Sequence, residues 1–210
     1  WNRHKNGDLY AVMTTLSAVR DSAGKPLQYV GLFADITANK THQRQLEHMA
    51  HFDALTGLPN RRAGLDILNH AWSTAARSGQ VFSVMMVDVD HFKKINDNYG
   101  HLFGDEVLLR IADLMRQSFR SNDKLFRFGG EEFVVLLRCP HTQAARSAFE
   151  RLRNRIAQHD FPQVGQLTIS IGYTAIDADD TPSVAFERAD LAVYNAKSEG
   201  RNRTVAHADL

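Results

Sequence analysis

The sequence predicts an α+β fold in which helices cover a mainly antiparallel sheet. Three observations carry that expectation. Helical and strand-like stretches alternate from Asn60 onward. Val81 to Val89 is an uninterrupted apolar run, the mark of a strand buried on both faces. Gly129-Gly130 separates two strand-like runs, Lys124 to Phe128 and Glu131 to Leu137, which reads as a hairpin with a tight turn.

The elements follow in order. Leu9 to Val19 and Leu27 to Ile36 are apolar runs around the turn cluster Asp21-Ser-Ala-Gly-Lys-Pro26, so they form a first hairpin. A two-stranded hairpin is marginal alone in water, so it must pack on something else. From Thr37, a natural N-cap, the composition turns to polar helix formers with Leu46, Met49 and Ala50 on one face and Phe52 at the end. This short linker helix fits a solvated connector and a dimerising coiled coil equally, because two heptads are too few to decide. Asn60 to Ser78 is helical through Leu65, Leu68 and Trp72, and Gly79 ends it. After the buried strand, Phe103 to Phe119 is an amphipathic helix carried by Val107, Ile111, Leu114 and Met115. Beyond the second hairpin, Thr142 to Gln158 is helix and Leu167 to Ile176 is strand. Ser183 to Ser198 closes the pattern as a helix with a face of Ala185, Ala189, Ala192 and Ala196.

Composition excludes several classes. Lys and Arg total 25 against 24 for Asp and Glu, a net charge of +1, which argues against a basic nucleic-acid binder. The single cysteine, Cys139, cannot form an internal disulfide, and Cys-based zinc sites need more than one. A reducing, cytoplasmic setting fits. No apolar run approaches the roughly 18 residues of a membrane span, so no membrane contact is expected of this segment. The opening Trp1-Asn2-Arg3 reads as the middle of a domain, so an upstream anchor would lie outside this sequence.

Four constellations could carry chemistry. Asp88-Val89-Asp90 ends the buried strand, where carboxylates need partners. Hard oxygen ligands there suit Mg²⁺, whereas one Asp alone would more simply cap the next segment. Gly129-Gly130-Glu131-Glu132 offers glycines that allow positive φ and close backbone approach, then two acids. Strand alternation would put those acids on opposite faces, so only one should join Asp88. Phe92-Lys93-Lys94-Ile95-Asn96-Asp97, Gly100-His101 and Gly104-Asp105 form a polar, glycine-rich stretch. It reads as loop leading to a helix N-terminus, with Asn and Asp side chains that could also read a purine edge. Lys197 and Arg201, four apart around Gly200, either complement a helix C-terminus or grip a triphosphate. Two acid clusters on adjacent strands with cations elsewhere resemble a palm-like phosphoryl-transfer site that uses metals.

Together these residues resemble the GGDEF family of diguanylate cyclases. The likeness runs from Asp53-Ala-Leu-Thr-Gly-Leu-Pro-Asn-Arg61 through Asp88-Val-Asp-His-Phe-Lys-Lys-Ile-Asn96-Asp97, Gly100-His-Leu-Phe-Gly104-Asp105 and Arg127-Phe-Gly-Gly-Glu-Glu-Phe133 to Ala196-Lys197-Ser-Glu-Gly-Arg201-Asn202. An ordered set of this extent is far more specific than one short motif. It implies a palm-like, nucleotidyl-cyclase or ferredoxin-like, sheet and synthesis of cyclic di-GMP from two GTP with release of two pyrophosphates. It implies that Asp88, the Val89 carbonyl and Glu131 hold Mg²⁺, or Mn²⁺ in its place. Glu132 would support catalysis or the second subunit's nucleotide. Asn96 and Asp105 would bond the guanine, and Asp105 favours GTP over mixed guanine–adenine products. Lys93, Lys197 and Arg201 would contact phosphates, while Gly129 and Gly130 would let the nucleotide approach. One GTP per subunit makes a face-to-face homodimer necessary. The Glu at position 131, where the family name has Asp, keeps a metal-binding carboxylate.

Arg120-Ser-Asn-Asp123 resembles the family's inhibitory RxxD site for the product, in register with Gly129-Gly130. Residues 1–37 resemble the end of a PAS sensor domain through Ala34-Asp35-Ile36-Thr37, followed by a linker at 38–52 and the cyclase domain at 53–210. The rival reading is a catalytically silent module that binds GTP or cyclic di-GMP and regulates an attached domain; intact Gly129 to Phe133 argues against it. A palm-type polymerase would need a basic stripe that the sequence lacks.

Overall fold

A computed structural model describes residues 1–78, 81–138, 142–176 and 180–210. Gly79, expected to end a helix, and Cys139 lie outside the described residues. The chain divides into two units, residues 1–50 and 51–210.

In the first unit β1 (Asn2–Arg3) pairs with β2 (Leu9–Tyr10), and β3 (Val12–Arg20) pairs antiparallel with β4 (Pro26–Asp35). The expected hairpin is therefore present. Its turn closes on Asp21, whose carboxylate accepts from the N–H groups of Ala23 and Lys25, both at 2.9 Å. Leu16, Leu27, Tyr29, Leu32 and Phe33 stand exposed on it. Helix α1 (Thr37–His51) follows and buries no residue; Leu46 and Met49 are exposed. Thr37 does not cap it. The Ile36 carbonyl already accepts from Lys40 N–H, and the Thr37 hydroxyl donates to Asp35 and accepts from Ala11 N–H at 2.8 Å.

The second unit is built on a five-stranded sheet of order β6-β7-β5-β8-β9. Its strands are β5 (Phe82–Val89), β6 (Lys124–Arg127), β7 (Glu132–Arg138), β8 (Ile169–Ala175) and β9 (Thr204–Ala206). All pairings are antiparallel except β8 with β9. The short β9 has no periodic signal in the sequence and was not expected. The helices are α2 (Arg61–Ser78), α3 (Phe92–Tyr99), α4 (His101–Ser118), α5 (Thr142–Ala157) and α6 (Pro182–Ser198).

Every residue of β5 is buried, which explains its continuous apolar run. Met85, Val87 and Val89 pack with α3, α4 and α5, through Ile95, Ile111, Phe149 and Leu152. Val84 and Met86 pack with α2 and α6, through Leu68, Trp72, Ala189 and Val193. Alternation therefore turns Asp88 toward the α2 and α6 face. Helix α6 comes unusually close, because its alanine face rests on Gly172 of β8. A Cβ at Gly172 would collide with Val193 N and Ala189 O. That approach carries the C-terminus of α6 to the end of β5.

The stretch after β5 is helical where loop was expected. Phe92 and Ile95 are buried and anchor α3, but eight residues give too little periodicity for the sequence to reveal it. The α4 helix also starts two residues earlier than expected, at His101.

Candidate active site

Three acids meet where β5 ends and β7 begins. Asp88 faces Glu132 directly across the β5–β7 pairing, so the two share a face. Glu131 lies one residue before β7, in the bend, and its carbonyl accepts from Val89 N–H at 3.3 Å. Alternation does not apply to a residue outside the strand. Strand pairing thus puts Glu132 on the face of Asp88, and the charge of Asp88 is felt at Glu131 as well.

Helix α6 supplies the balancing cation. Lys197 Nζ stands 2.6 Å from Asp88 Oδ2, beside a carboxylate that is almost wholly buried. Even so, burial holds the Asp88 carboxyl above the usual carboxylate range, against the pull of Lys197 and with a push from the charge of Asp90. Burial and the nearby Asp88 charge likewise raise Glu131 and Glu132, again opposed by Lys197. The site is thus a group of acids whose ionised forms repel one another, with one ammonium among them. Arg201 adds its charge to the field at Asp88. Its φ of 63° is left-handed, so the helix has ended and the residue belongs to a turn.

Among the described residues, no group of three or more His, Cys, Asp or Glu side chains is arranged to hold a metal ion. The donors present are two carboxylates, Asp88 and Glu131, and the carbonyl of Val89. Hard oxygens of this number suit Mg²⁺, which keeps waters and takes phosphate oxygens from its ligand. The raised carboxyl groups fit as well, because a divalent cation would offset the burial, and the lesser mutual repulsion, that raise them.

The Gly129-Gly130 turn differs from the expectation. Neither glycine has positive φ, and the loop between β6 and β7 is four residues long, from Phe128 to Glu131. Space is what the glycines supply. A Cβ at Gly129 would stand 2.5 Å from Glu132 Oε2, whereas the Cβ direction at Gly130 is open. The loop is held by Arg127, a residue quoted in the motif but given no role from sequence. Its guanidinium donates to the Gly129 and Gly130 carbonyls at 3.2 and 2.6 Å and to both oxygens of Asp53 at 2.9 and 3.1 Å. Asp53 in turn accepts from the Thr56 hydroxyl at 2.7 Å and N–H at 2.8 Å. The signal for this brace was the Asp53-Ala-Leu-Thr56 run, whose partner lay too far along the chain to read.

Asn96 and Asp105 sit at the α3–α4 junction. A Cβ at Gly104 would collide with Asn96 Oδ1, so Gly104 is what lets α4 pack against the Asn96 side chain, with Asp105 the next residue along. Lys93 is exposed on the first turn of α3. On the approach to β6, Arg120 and Asp123 are joined by one backbone bond and by the Asp123 carboxylate. Arg120 N–H donates to Asp123 Oδ2 at 2.9 Å, and Asp123 N–H to the Arg120 carbonyl at 3.0 Å. Both line a cavity of about 500 Å³ with Arg138 and Arg151, two cations the sequence did not point to.

Sheet order, buried acids at a central strand end and a facing ammonium define a class: a palm-like α+β domain with an acid-rich site. Residues 50–203 match the family model described as diguanylate cyclase, GGDEF domain. The chain belongs to the GGDEF family of diguanylate cyclases. It is 41% identical over 172 residues to the diguanylate cyclase DgcM of Escherichia coli (strain K12), covering 82% of this chain and 42% of that protein. It is 43% identical over 172 residues to the diguanylate cyclase DgcP of Pseudomonas aeruginosa, covering 80% of this chain and 26% of that protein. The chain therefore spans less than half the length of either. Among solved structures, the coiled coil and GGDEF domain of DgcB from Caulobacter crescentus, in complex with c-di-GMP, superposes with a TM-score of 0.77 at 28% identity. That likeness covers 81% of this chain and 93% of that one. The active GGEEF domain of a diguanylate cyclase from Vibrio cholerae gives 0.67 at 34% identity, over 70% and 96% of the two chains. Among the described residues no helix is long and apolar enough to cross a membrane.

Proposed function

We propose that this chain condenses two GTP into cyclic di-GMP and two pyrophosphates, and that it works as a homodimer in the cytoplasm. The observation that carries the reading is the convergence of Asp88, Glu131 and Glu132 around Lys197 at the end of β5. Acids raised by burial and by one another's charge are costly unless a ligand needs them. In this reading Asp88, Glu131 and the Val89 carbonyl hold Mg²⁺ (Mn²⁺ would fit the same donors). The bound cation would neutralise triphosphate charge and ease deprotonation of the attacking 3′-hydroxyl.

The chain's own side chains do the rest. Lys197, Arg201 and Lys93 bind triphosphate oxygens, and Asn96 with Asp105 orients the guanine. Glu132 supports the reaction or the partner's nucleotide. The open side of Gly130 lets the nucleotide lie against the turn. Each subunit brings one GTP, so attack by a ribose 3′-hydroxyl on the α-phosphate of the other nucleotide needs two subunits face to face. Arg120 and Asp123 bind the product and inhibit, a role supported by their joined turn and lining cavity. Residues 1–37 are the last strands of a PAS sensor and 38–52 its linker to the cyclase domain at 53–210.

Incubation with GTP and Mg²⁺, followed by nucleotide analysis with and without added cyclic di-GMP, tests the whole reading. The expected result is cyclic di-GMP formation that slows as product accumulates, and that no longer slows in Arg120→Ala. A dimeric sample that makes none would sink the reading. For the linker, Leu46→Glu with Met49→Glu should weaken dimerisation in sedimentation and lower turnover; unchanged values would make α1 a tether only.

A further inference from the structure

Asp90 lies just past the end of β5, and it stands on the side of Asp88 because it bonds Ser170, the residue opposite Asp88 on β8. The surroundings of the two acids differ. Asp88 meets Lys197. Asp90 is 4% exposed and meets only neutral donors. The Thr168 hydroxyl donates to Asp90 Oδ2 at 2.7 Å, the Ser170 hydroxyl to Oδ1 at 2.7 Å, and the backbone N–H of Asn202 to Oδ2 at 3.1 Å. No ion pair reaches it among the described residues. Burying a carboxylate without a cation is expensive, and bracing β5 to β8 needs only a neutral polar side chain. What the charge adds is a strong acceptor for one backbone N–H.

That N–H belongs to an unfavourable turn. Arg201 and Asn202 are consecutive non-glycine residues at φ 63° and 46°, in the left-handed region that side chains resist. Such a conformation persists only where the surroundings over-determine it. The neighbours do so. Arg201 N–H donates to the Ala196 carbonyl at 2.9 Å. Arg153 donates to the Asn202 carbonyl at 3.2 Å and to its Oδ1 at 2.7 Å. Asp90 holds the N–H between them. The Arg201 guanidinium itself makes no hydrogen bond among the described residues, yet its charge is felt at Asp88. We infer that Asp90 is a positioning residue: it pins the Gly200–Asn202 turn so that the guanidinium of Arg201 is presented to the strand-end acids and the phosphates they bind. The inference deepens the cyclase reading, resting on it for Arg201 as a phosphate contact.

The test is a cycle of Asp90→Asn, Arg201→Ala and the double variant. Steady-state turnover of GTP is read alongside calorimetric binding of 3′-deoxy-GTP, which lacks the attacking hydroxyl. Asp90→Asn should raise KM for GTP about tenfold with a smaller change in kcat. The double variant should be no worse than Arg201→Ala alone. Amide exchange at Asn202 should quicken while the core strands stay protected. Adding Asn202→Gly, which tolerates the left-handed turn, should return part of the lost affinity. Additive losses, or slow Asn202 exchange in Asp90→Asn, would overturn the inference. If Asp90→Asn does not fold, Thr168→Val should give the same KM rise in smaller measure, and an unchanged KM would count against the idea. A wild-type chain that makes no cyclic di-GMP defeats the cyclase reading, while deoxynucleotide binding and exchange still decide the role of Asp90.

Discussion

Asp53 and Asp88 each meet a cation, at 2.9 Å from Arg127 and 2.6 Å from Lys197, and their carboxyl groups shift in opposite directions. Burial pushes Asp53 up, but the Thr56 hydroxyl and N–H together with Arg127 outweigh it and hold the carboxyl below its usual range. At Asp88 burial is deeper and wins over Lys197, and the charge of Asp90 adds to it. One ion pair is satisfied by donors on several sides. The other is a single ammonium shared by several acids. The first contributes stability, and the second stores unmet demand for positive charge that a ligand can supply.

The largest expected effect lies on the unsatisfied side. Glu131→Gln should lower cyclic di-GMP production roughly 100-fold or more, by loss of an electrostatic contact to the reacting centre. Chromatography of the nucleotides measures it, and wild-type turnover in the variant would remove Glu131 from the site.

On the satisfied side the readout is stability. Asp53→Asn should cost about 1–2 kcal/mol at pH 7, in line with a charge-assisted but partly exposed pair. A carboxyl lowered on folding contributes stability above its unfolded pKa, and that contribution fades as the pH falls through the lowered value. The gap between wild type and variant in urea unfolding should therefore narrow toward pH 3. A gap independent of pH would show that shape, not charge, matters there.

The smallest effect has the opposite sign. Glu132 is raised on folding, so its contribution is full below the unfolded pKa and is lost as the pH rises through the folded one. Glu132→Gln should therefore raise the melting temperature slightly at pH 7 in a chelator, roughly 0.5 kcal/mol for this half-buried group, with no gain near pH 4. A loss of stability at pH 7 would mean that Glu132 is paired rather than repelled.

Much of this was legible in the residues. The apolar run of β5, the position of the hairpin at Gly129-Gly130 and the alanine face of α6 have short-range signatures, because strand and helix periods are local. So does Asp88, a carboxylate out of place on a buried strand, whereas Glu131 and Lys197 were legible from the ordered motifs around them. The two-turn α3 and three-residue β9 were missed because neither is long enough for a period. The separation of Glu131 from β7 was missed because a strand's first residue is set by its partner's hydrogen bonds, not by its own side chain.

Sequence alone thus determined the fold class, the family and the residue types at the site, since these are written in local pattern and ordered motif. Only the tertiary structure decided which acids share a face, that Arg127 braces the turn through Asp53, and that Asp90 holds the turn bearing Arg201. Those facts depend on pairing across the sheet between Asp88 and Glu132 and on contacts 74 and 112 residues apart. At such separations pairing is fixed by how closely helices and strands pack, down to the missing Cβ of Gly172.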